Sequence, residues 1–155
     1  MSFPAAVVSV LKKYAKFSGR ARRSELWWYL LAYAALQAVV NVAFVASATV
    51  EYVDTMSTLS PDDTDGAVSA LTTYTSAFVP VWVLTLALLL PTLAVYVRRL
   101  HDVDKSGGWI FFALVPVVGP IMLIVWFATA GTVGANRFGP DPKAVSAAAK
   151  VPAAV

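Results

Sequence analysis

The densest polar string in the chain runs Arg98-Arg99-Leu100-His101-Asp102-Val103-Asp104-Lys105-Ser106-Gly107-Gly108-Trp109. Its residue types allow four chemistries. Arginine presents a planar fork of donors matched to phosphate or carboxylate oxygens, and a Ser-Gly-Gly turn opening a helix offers free amides at a positive dipole end. Together these describe a site for a phosphate or lipid headgroup. The plainer alternative is a cationic anchor followed by a capped turn, with Asp104 or Ser106 accepting from the first amides of the next helix. A catalytic His-Asp arrangement is disfavoured: His101 and Asp102 are adjacent, neighbours on a helix do not face one another, and no Gly-x-Ser-x-Gly elbow supplies a nucleophile. A metal centre lacks ligands, because His101 is the one histidine and there is no cysteine. No metal and no cofactor are therefore expected.

Two further strings carry the remaining polar chemistry. Phe17-Ser18-Gly19-Arg20-Ala21-Arg22-Arg23-Ser24-Glu25-Leu26-Trp27-Trp28 sets Glu25 beside three arginines that are ready partners for it, with Ser24 placed as an N-cap. Gly131-Thr132-Val133-Gly134-Ala135-Asn136-Arg137-Phe138-Gly139-Pro140-Asp141-Pro142 is turn-rich and reads, from spacing alone, as a helix stop and a loop.

The elements that must position these strings follow from composition. Of 155 residues, 59% are hydrophobic and 14% charged, against about 45–50% and about 25% in an ordinary soluble domain. Three apolar stretches, about 26–47, 77–97 and 108–130, are each long enough to cross a hydrocarbon core about 30 Å thick. Lys12, Lys13, Lys16, Arg20, Arg22 and Arg23 precede the first stretch, and Arg98, Arg99 and Lys105 follow the second. Residues 48–73 carry only acids, Glu51, Asp54, Asp62, Asp63 and Asp65. By the positive-inside rule the N-terminus is cytoplasmic and the acidic segment is an external, solvated loop with room for helical turns near either membrane face. The formal net charge of +3 is split into short membrane-proximal strings, which speaks against nucleic acid. Trp27, Trp28 and Trp109 fall at span ends, where indoles anchor to the interface. Residues 5–17 read as an amphipathic helix, with Val7, Val10, Leu11, Tyr14 and Phe17 on one face, suited either to anionic headgroups or to packing on the bundle.

The third apolar stretch has two readings, because Val-Pro-Val-Val-Gly-Pro, with Pro116, Gly119 and Pro120, lies near its middle. A single crossing kinked at Pro116/Pro120 is favoured over a re-entrant hairpin with arms of about 8 and 10 residues. A crossing separates Asn136, Arg137, Phe138, Gly139 and Asp141 from the other two strings; re-entry unites all three.

Taken together, the strings resemble the YhaH-like family of small bacterial inner-membrane proteins, domain of unknown function 805. Its pattern Gly-Arg-x-Arg-Arg-x-Glu-x-Trp matches Gly19, Arg20, Arg22, Arg23, Glu25 and Trp27. Its Arg-Arg-Leu-His-Asp-x-x-x-Ser-Gly-x-Trp matches Arg98 through Asp102 with Ser106, Gly107 and Trp109. Its Asn-Arg-Phe-Gly-x-Asp-Pro matches Asn136 through Gly139 with Asp141 and Pro142. The resemblance covers roughly residues 10–142 and implies a bacterial integral membrane protein, without implying an activity.

The expectation is thus an all-α integral membrane protein: an N-terminal amphipathic helix and three transmembrane helices in one domain, 1–142, with a flexible tail, 143–155. Arg20, Arg22, Arg23, Glu25, Arg98, Arg99, His101, Asp102 and Ser106 are the expected cytoplasmic ligand site, with Asn136, Arg137, Phe138, Gly139 and Asp141 as an additional motif. The expected partners are anionic lipids of the bilayer, an acidic segment of a membrane protein, or a second copy of the chain. A non-enzymatic role is favoured. An oligomeric transporter or channel, or an enzyme using His101 as general acid or base, are the other classes.

Overall fold

The computed structural model describes residues 1–144. These form six α-helices, α1 Phe3–Lys12, α2 Arg23–Val40, α3 Ser47–Thr58, α4 Thr64–Ser76, α5 Val79–Asp102 and α6 Val118–Ala128. A π-helical segment, Asn41–Ala46, joins α2 to α3, and a 3-10 helix, Gly107–Leu114, precedes α6. The described residues contain no strand, only an isolated bridge between Asn136 and Gly139. The tail expected to be flexible lies, from residue 145 onward, outside the described residues. Two helical runs, Arg23–Thr58 and Thr64–Asp102, are long and apolar enough to cross a membrane. The chain divides into two compact units: Met1–Leu30 with the chain from Leu90 onward, and Leu31–Leu89.

In the unit Leu31–Leu89, a polar seam joins the two runs. Gln37 Nε2 donates to Thr85 Oγ1 at 2.9 Å and to the Tyr33 hydroxyl at 3.1 Å. Beyond it, side chains compete for helix carbonyls: Asn41 Nδ2 donates to Gln37 O, and Ser47 Oγ to Ala43 O and Phe44 O. Such bonds disturb the regular i to i−4 ladder, and here they flank the π-helical segment. The acidic stretch 48–73, expected as a loop, is instead largely α3 and α4. Extending a formed helix is far easier than nucleating one, and the two helices support each other through Tyr52 and Tyr74, whose rings lie 5.1 Å apart. Asp63 caps α4 by accepting from the Gly66 amide at 2.9 Å.

In the other unit, the core consists of Val10, Ala21, Leu26, Tyr29, Val95, Leu100, Leu123 and Phe127. The helix α1 ends at Lys12 rather than Phe17. It turns Ala6 and Val10 inward and leaves Leu11, Tyr14 and Phe17 exposed, so the packing face is narrower than the apolar spacing indicated. Helix α2 starts at Arg23, which puts Ser24 in its first turn rather than at its cap.

The third apolar stretch is not one helix kinked at Pro116/Pro120. Its 3-10 arm and α6 fold back on each other as a hairpin. The Trp109 and Trp126 rings, near its two ends, lie 5.3 Å apart. The reversal falls at Val115–Val117, with Val117 at φ 64°. Pro116 ends the first arm, and Gly119 lets the arms touch backbone to backbone: a Cβ there would fall 1.8 Å from Phe112 O.

Candidate functional site

The last turn of α5 is mostly polar, yet it is buried: beside Leu100, the side chains of Arg98, Arg99, His101 and Asp102 are all within the interior. Buried charges need partners and buried guanidinium donors need acceptors, so the chain around them is arranged as an acceptor shell. Asp102 sits between two arginines. Its Oδ1 accepts from Arg20 Nε at 2.9 Å and its Oδ2 from Arg99 Nη1. Arg20 donates further to Gly134 O at 2.6 Å and Thr132 O at 2.5 Å. Arg99 donates to Phe127 O at 3.0 Å and to Thr129 O. One carboxylate and four backbone carbonyls thus surround two guanidinium groups. The Thr132 amide returns a bond to Asp102 O at 2.8 Å. Gly131 makes this approach feasible, because a Cβ on it would lie 2.1 Å from Asp102 Oδ2.

A second ion pair joins α2 to α5. Glu25, buried, accepts from Arg98 Nη1 at 2.9 Å, from Ser9 Oγ at 3.0 Å and from Lys13 Nζ at 3.4 Å, which ties α1 to the same centre. Arg98 Nε donates to Ala94 O at 3.3 Å, while its Nη2 is buried without a partner.

His101 does not meet Asp102. Its Nδ1 lies 3.1 Å from Gly19 O, and its ring stacks on Phe138 at 3.9 Å with planes 3° apart. Asn136 Nδ2 donates to His101 O at 2.8 Å, and Asn136 Oδ1 accepts from the Phe138 amide at 3.0 Å. Helix α5 closes with Lys105 N donating to Leu100 O and Asp104 N to His101 O, a Schellman arrangement that places Asp104 at φ 58°. Arg137 pairs with Asp104 at 3.2 Å on the surface. Lys105 turns back over the Trp126 ring, its Nζ 4.5 Å from the centroid.

All three polar strings therefore meet at one end of the unit, the outcome that follows from a hairpin and not from a crossing. Most of the expected ligand residues serve one another there. Arg20, Arg98, Arg99, Glu25, His101 and Asp102 form the interior lock; Ser106 lies apart on the surface, its carbonyl accepting from the Trp109 amide at 3.2 Å. Trp27, Trp28 and Trp109 are exposed. Among the described residues, no three His, Asp or Glu side chains gather closely enough to hold a metal.

Beside the lock is an open cleft of about 500 Å³ lined by Arg20, Arg22, Arg23, Ser24, Asp102, Gly131, Thr132, Val133, Asp141, Pro142 and Lys143. Arg22 donates to Pro142 O through Nε at 3.1 Å and through Nη2. Arg23, exposed, gives one bond to Ala128 O at 3.3 Å. Asp141 accepts from the Lys143 amide at 2.8 Å, which holds its carboxyl below the ordinary carboxylate range. Sequence reasoning missed Ser24 and Lys143 as cleft residues and Gly131 as a contact point. The Gly-Thr-Val-Gly run signalled a turn, and the carbonyls it presents carry no signature in residue type.

A family model described as protein of unknown function (DUF805) matches residues 14–140. The inner membrane protein YhaI of Escherichia coli (strain K12) is 37% identical over 137 residues, covering 88% of this chain and 93% of the relative. The inner membrane protein YhaH of the same organism is 38% identical over 136 residues, covering 88% of this chain and 94% of the relative. No solved structure matches.

Proposed function

The chain belongs to the DUF805 family of proteins of unknown function, and from that premise we propose that it is a multi-pass bacterial inner-membrane protein that holds an anionic lipid headgroup at its cytoplasmic face, without catalysing a reaction. Two helical runs, Arg23–Thr58 and Thr64–Asp102, supply the crossings. The basic strings set the orientation by the positive-inside rule, with the N-terminus inside and residues 48–73, which carry no Lys or Arg, outside.

The observation that carries the reading is the cleft against the first turn of α2. Arg22, Arg23 and Lys143 bring three cations to it beside the Arg20–Asp102 pair, and Asp141 offsets one of them. The first turn of α2 adds a positive helix end. Arg23 uses one of its donors on Ala128 O, leaving others for a ligand. Lys143 is exposed, and its amide, not its ammonium, is what holds Asp141. A phosphate oxygen would gain charge-assisted bonds from Arg23, Lys143 and the Ser24 hydroxyl, each contributing about 1.5–3 kcal/mol. Arg98, Arg99 and Arg20 act behind this surface by holding its walls together.

Native mass spectrometry on the chain extracted gently from its own membranes tests this, beside an Arg23→Ala/Lys143→Ala variant. The wild type should carry a bound mass equal to an anionic phospholipid, and the variant should lose it while keeping its circular dichroism and melting behaviour. An apo wild type, or a lipid mass indifferent to the two substitutions, would overturn the reading.

A further inference from the structure

Residues 107–128 form an apolar hairpin whose dimensions and chemistry are those of a half-membrane insertion. The 3-10 arm, Gly107–Leu114, has 8 residues and α6 has 11. At rises of about 2.0 Å and about 1.5 Å per residue, both arms are about 16 Å long, half of a hydrocarbon core about 30 Å thick. The part of α5 in the same unit, from Leu90 to Asp102, has a similar height. Both ends of the hairpin lie at the charged end of α5: Gly107 approaches Val97 and His101, and Arg99 holds Phe127 O and Thr129 O. The outward faces are apolar and open, with Phe111 71%, Leu114 79%, Val117 73% and Ile121 55% exposed.

The tip is built for a medium without water. In hydrocarbon every backbone amide must be satisfied within the protein. Of positions 115–120, Pro116 and Pro120 have no N–H to satisfy. Three of the four remaining amides are bonded within the chain: Val115 donates to Phe112 O at 2.9 Å, Val118 to Pro116 O at 2.7 Å and Gly119 to Val115 O at 3.0 Å, and the Val117 amide at the reversal is the exception. Turns in water ordinarily combine Gly and Pro with polar Asn, Asp and Ser, whereas Val-Pro-Val-Val-Gly-Pro carries no polar side chain.

We infer that the hairpin 107–128 inserts into the leaflet on the basic side alone, with its tip near the bilayer midplane and its outward faces covered by the acyl chains of that leaflet. It acts as a wedge there, adding a cross-section of about 200 Å² for two helical arms that has no counterpart from these residues in the opposite leaflet. The arm α6 leads directly into Gly131–Val133, which wall the headgroup cleft.

This inference rests on the membrane reading proposed above but not on the anion site. The chain has no cysteine, so single-cysteine variants of the full chain report one position each. In right-side-out and inverted vesicles, Ser106→Cys and Val133→Cys should react with a membrane-impermeant maleimide from the same side. Val117→Cys should react from neither side, and a nitroxide on it should show the oxygen accessibility of the bilayer centre. Val42→Cys, in the first crossing, is the control and should also be unreactive. Ser106→Cys and Val133→Cys reacting from opposite sides would overturn the inference in favour of a full crossing. A reactive Val117→Cys would overturn it in favour of a hairpin lying on the surface. A reactive Val42→Cys would overturn the membrane reading itself, and the hairpin insertion with it.

Discussion

Asp102→Asn is the sharpest perturbation of the interior lock, because it keeps the shape of the side chain and removes the one negative charge that Arg20 and Arg99 share. Both salt bridges are almost fully buried, with side-chain exposures of 1% for Arg20, 0% for Arg99 and 7% for Asp102. Removing one partner of a buried pair leaves an uncompensated buried charge and costs about 3–5 kcal/mol; here two guanidinium groups are left facing a neutral amide. A loss of about 4 kcal/mol lowers the folding constant by about three orders of magnitude at 1.4 kcal/mol per decade. Against a typical total of about 5–15 kcal/mol, the variant should still fold, with a much earlier transition. The assay is reversible denaturation in bicelles followed by far-ultraviolet circular dichroism and by tryptophan fluorescence, to which Trp126 beside Phe127 contributes. The Arg137–Asp104 pair provides the contrast: its side chains are 62% and 48% exposed, so Arg137→Ala should cost less than about 1 kcal/mol. An Asp102→Asn loss below about 1 kcal/mol, or equal losses for the two variants, would refute the idea that burial makes the lock strong.

Gly131→Ala places a Cβ 2.1 Å from Asp102 Oδ2 and should cost about 3 kcal/mol, the upper range for overpacking; a loss within error of zero in the same denaturation would show that the 131–134 segment shifts freely. Asp104→Gly relieves a residue at φ 58°, a gain of about 1–2 kcal/mol set against an exposed ion pair of about 0–1 kcal/mol, so its melting point should stay level or rise. Lys105→Met removes the ammonium from the Trp126 ring and should cost about 1 kcal/mol with a measurable change in tryptophan emission. The lowered pKa of Asp141 means that its bond to the Lys143 amide stabilises the folded chain above the ordinary carboxylate range and is lost only as pH falls through that lowered value. The protection of the Lys143 amide, its exchange rate relative to an unstructured amide at the same pH, should be lost only below the usual aspartate midpoint, and a midpoint at or above it would contradict the bond.

The long helical runs and the three polar strings were legible because an uncharged run of about 20 residues with arginines clustered at its end suits a bilayer and few other surroundings. The fate of 108–130 was not, since a kinked crossing and a hairpin share one composition. What separates them is the contact of Gly119 with Phe112 and of Trp109 with Trp126, both set by tertiary packing. Residues 48–73 read as a loop because Ser, Thr and Asp favour turns in isolation, whereas here each helix continues a longer one and packs on its neighbour. Site residues were legible by type, whereas their partners within the chain were not. Arginine announces a need for acceptors, but Phe127 O, Thr129 O, Thr132 O and Gly134 O are backbone atoms that any residue at those positions would supply.

The lock also has an order in time. Chains emerge from the ribosome N-terminus first, at about 5–20 residues per second. The acceptors of Arg20 at Thr132 and Gly134 are 112 and 114 residues downstream, roughly 6–20 s of synthesis at that pace. Those of Arg99 at Phe127 and Thr129 lie 28 and 30 residues downstream. Arg99 meets its carboxylate partner Asp102 only three residues on, whereas Arg20 waits for Asp102, 82 residues downstream, and longer still for its carbonyls. Residues 127–134 therefore complete the acceptor shell last, and in the finished chain the guanidinium groups lie in the interior. A fastening whose acceptors are spread from residue 102 to residue 134 can close only after all of them have been made.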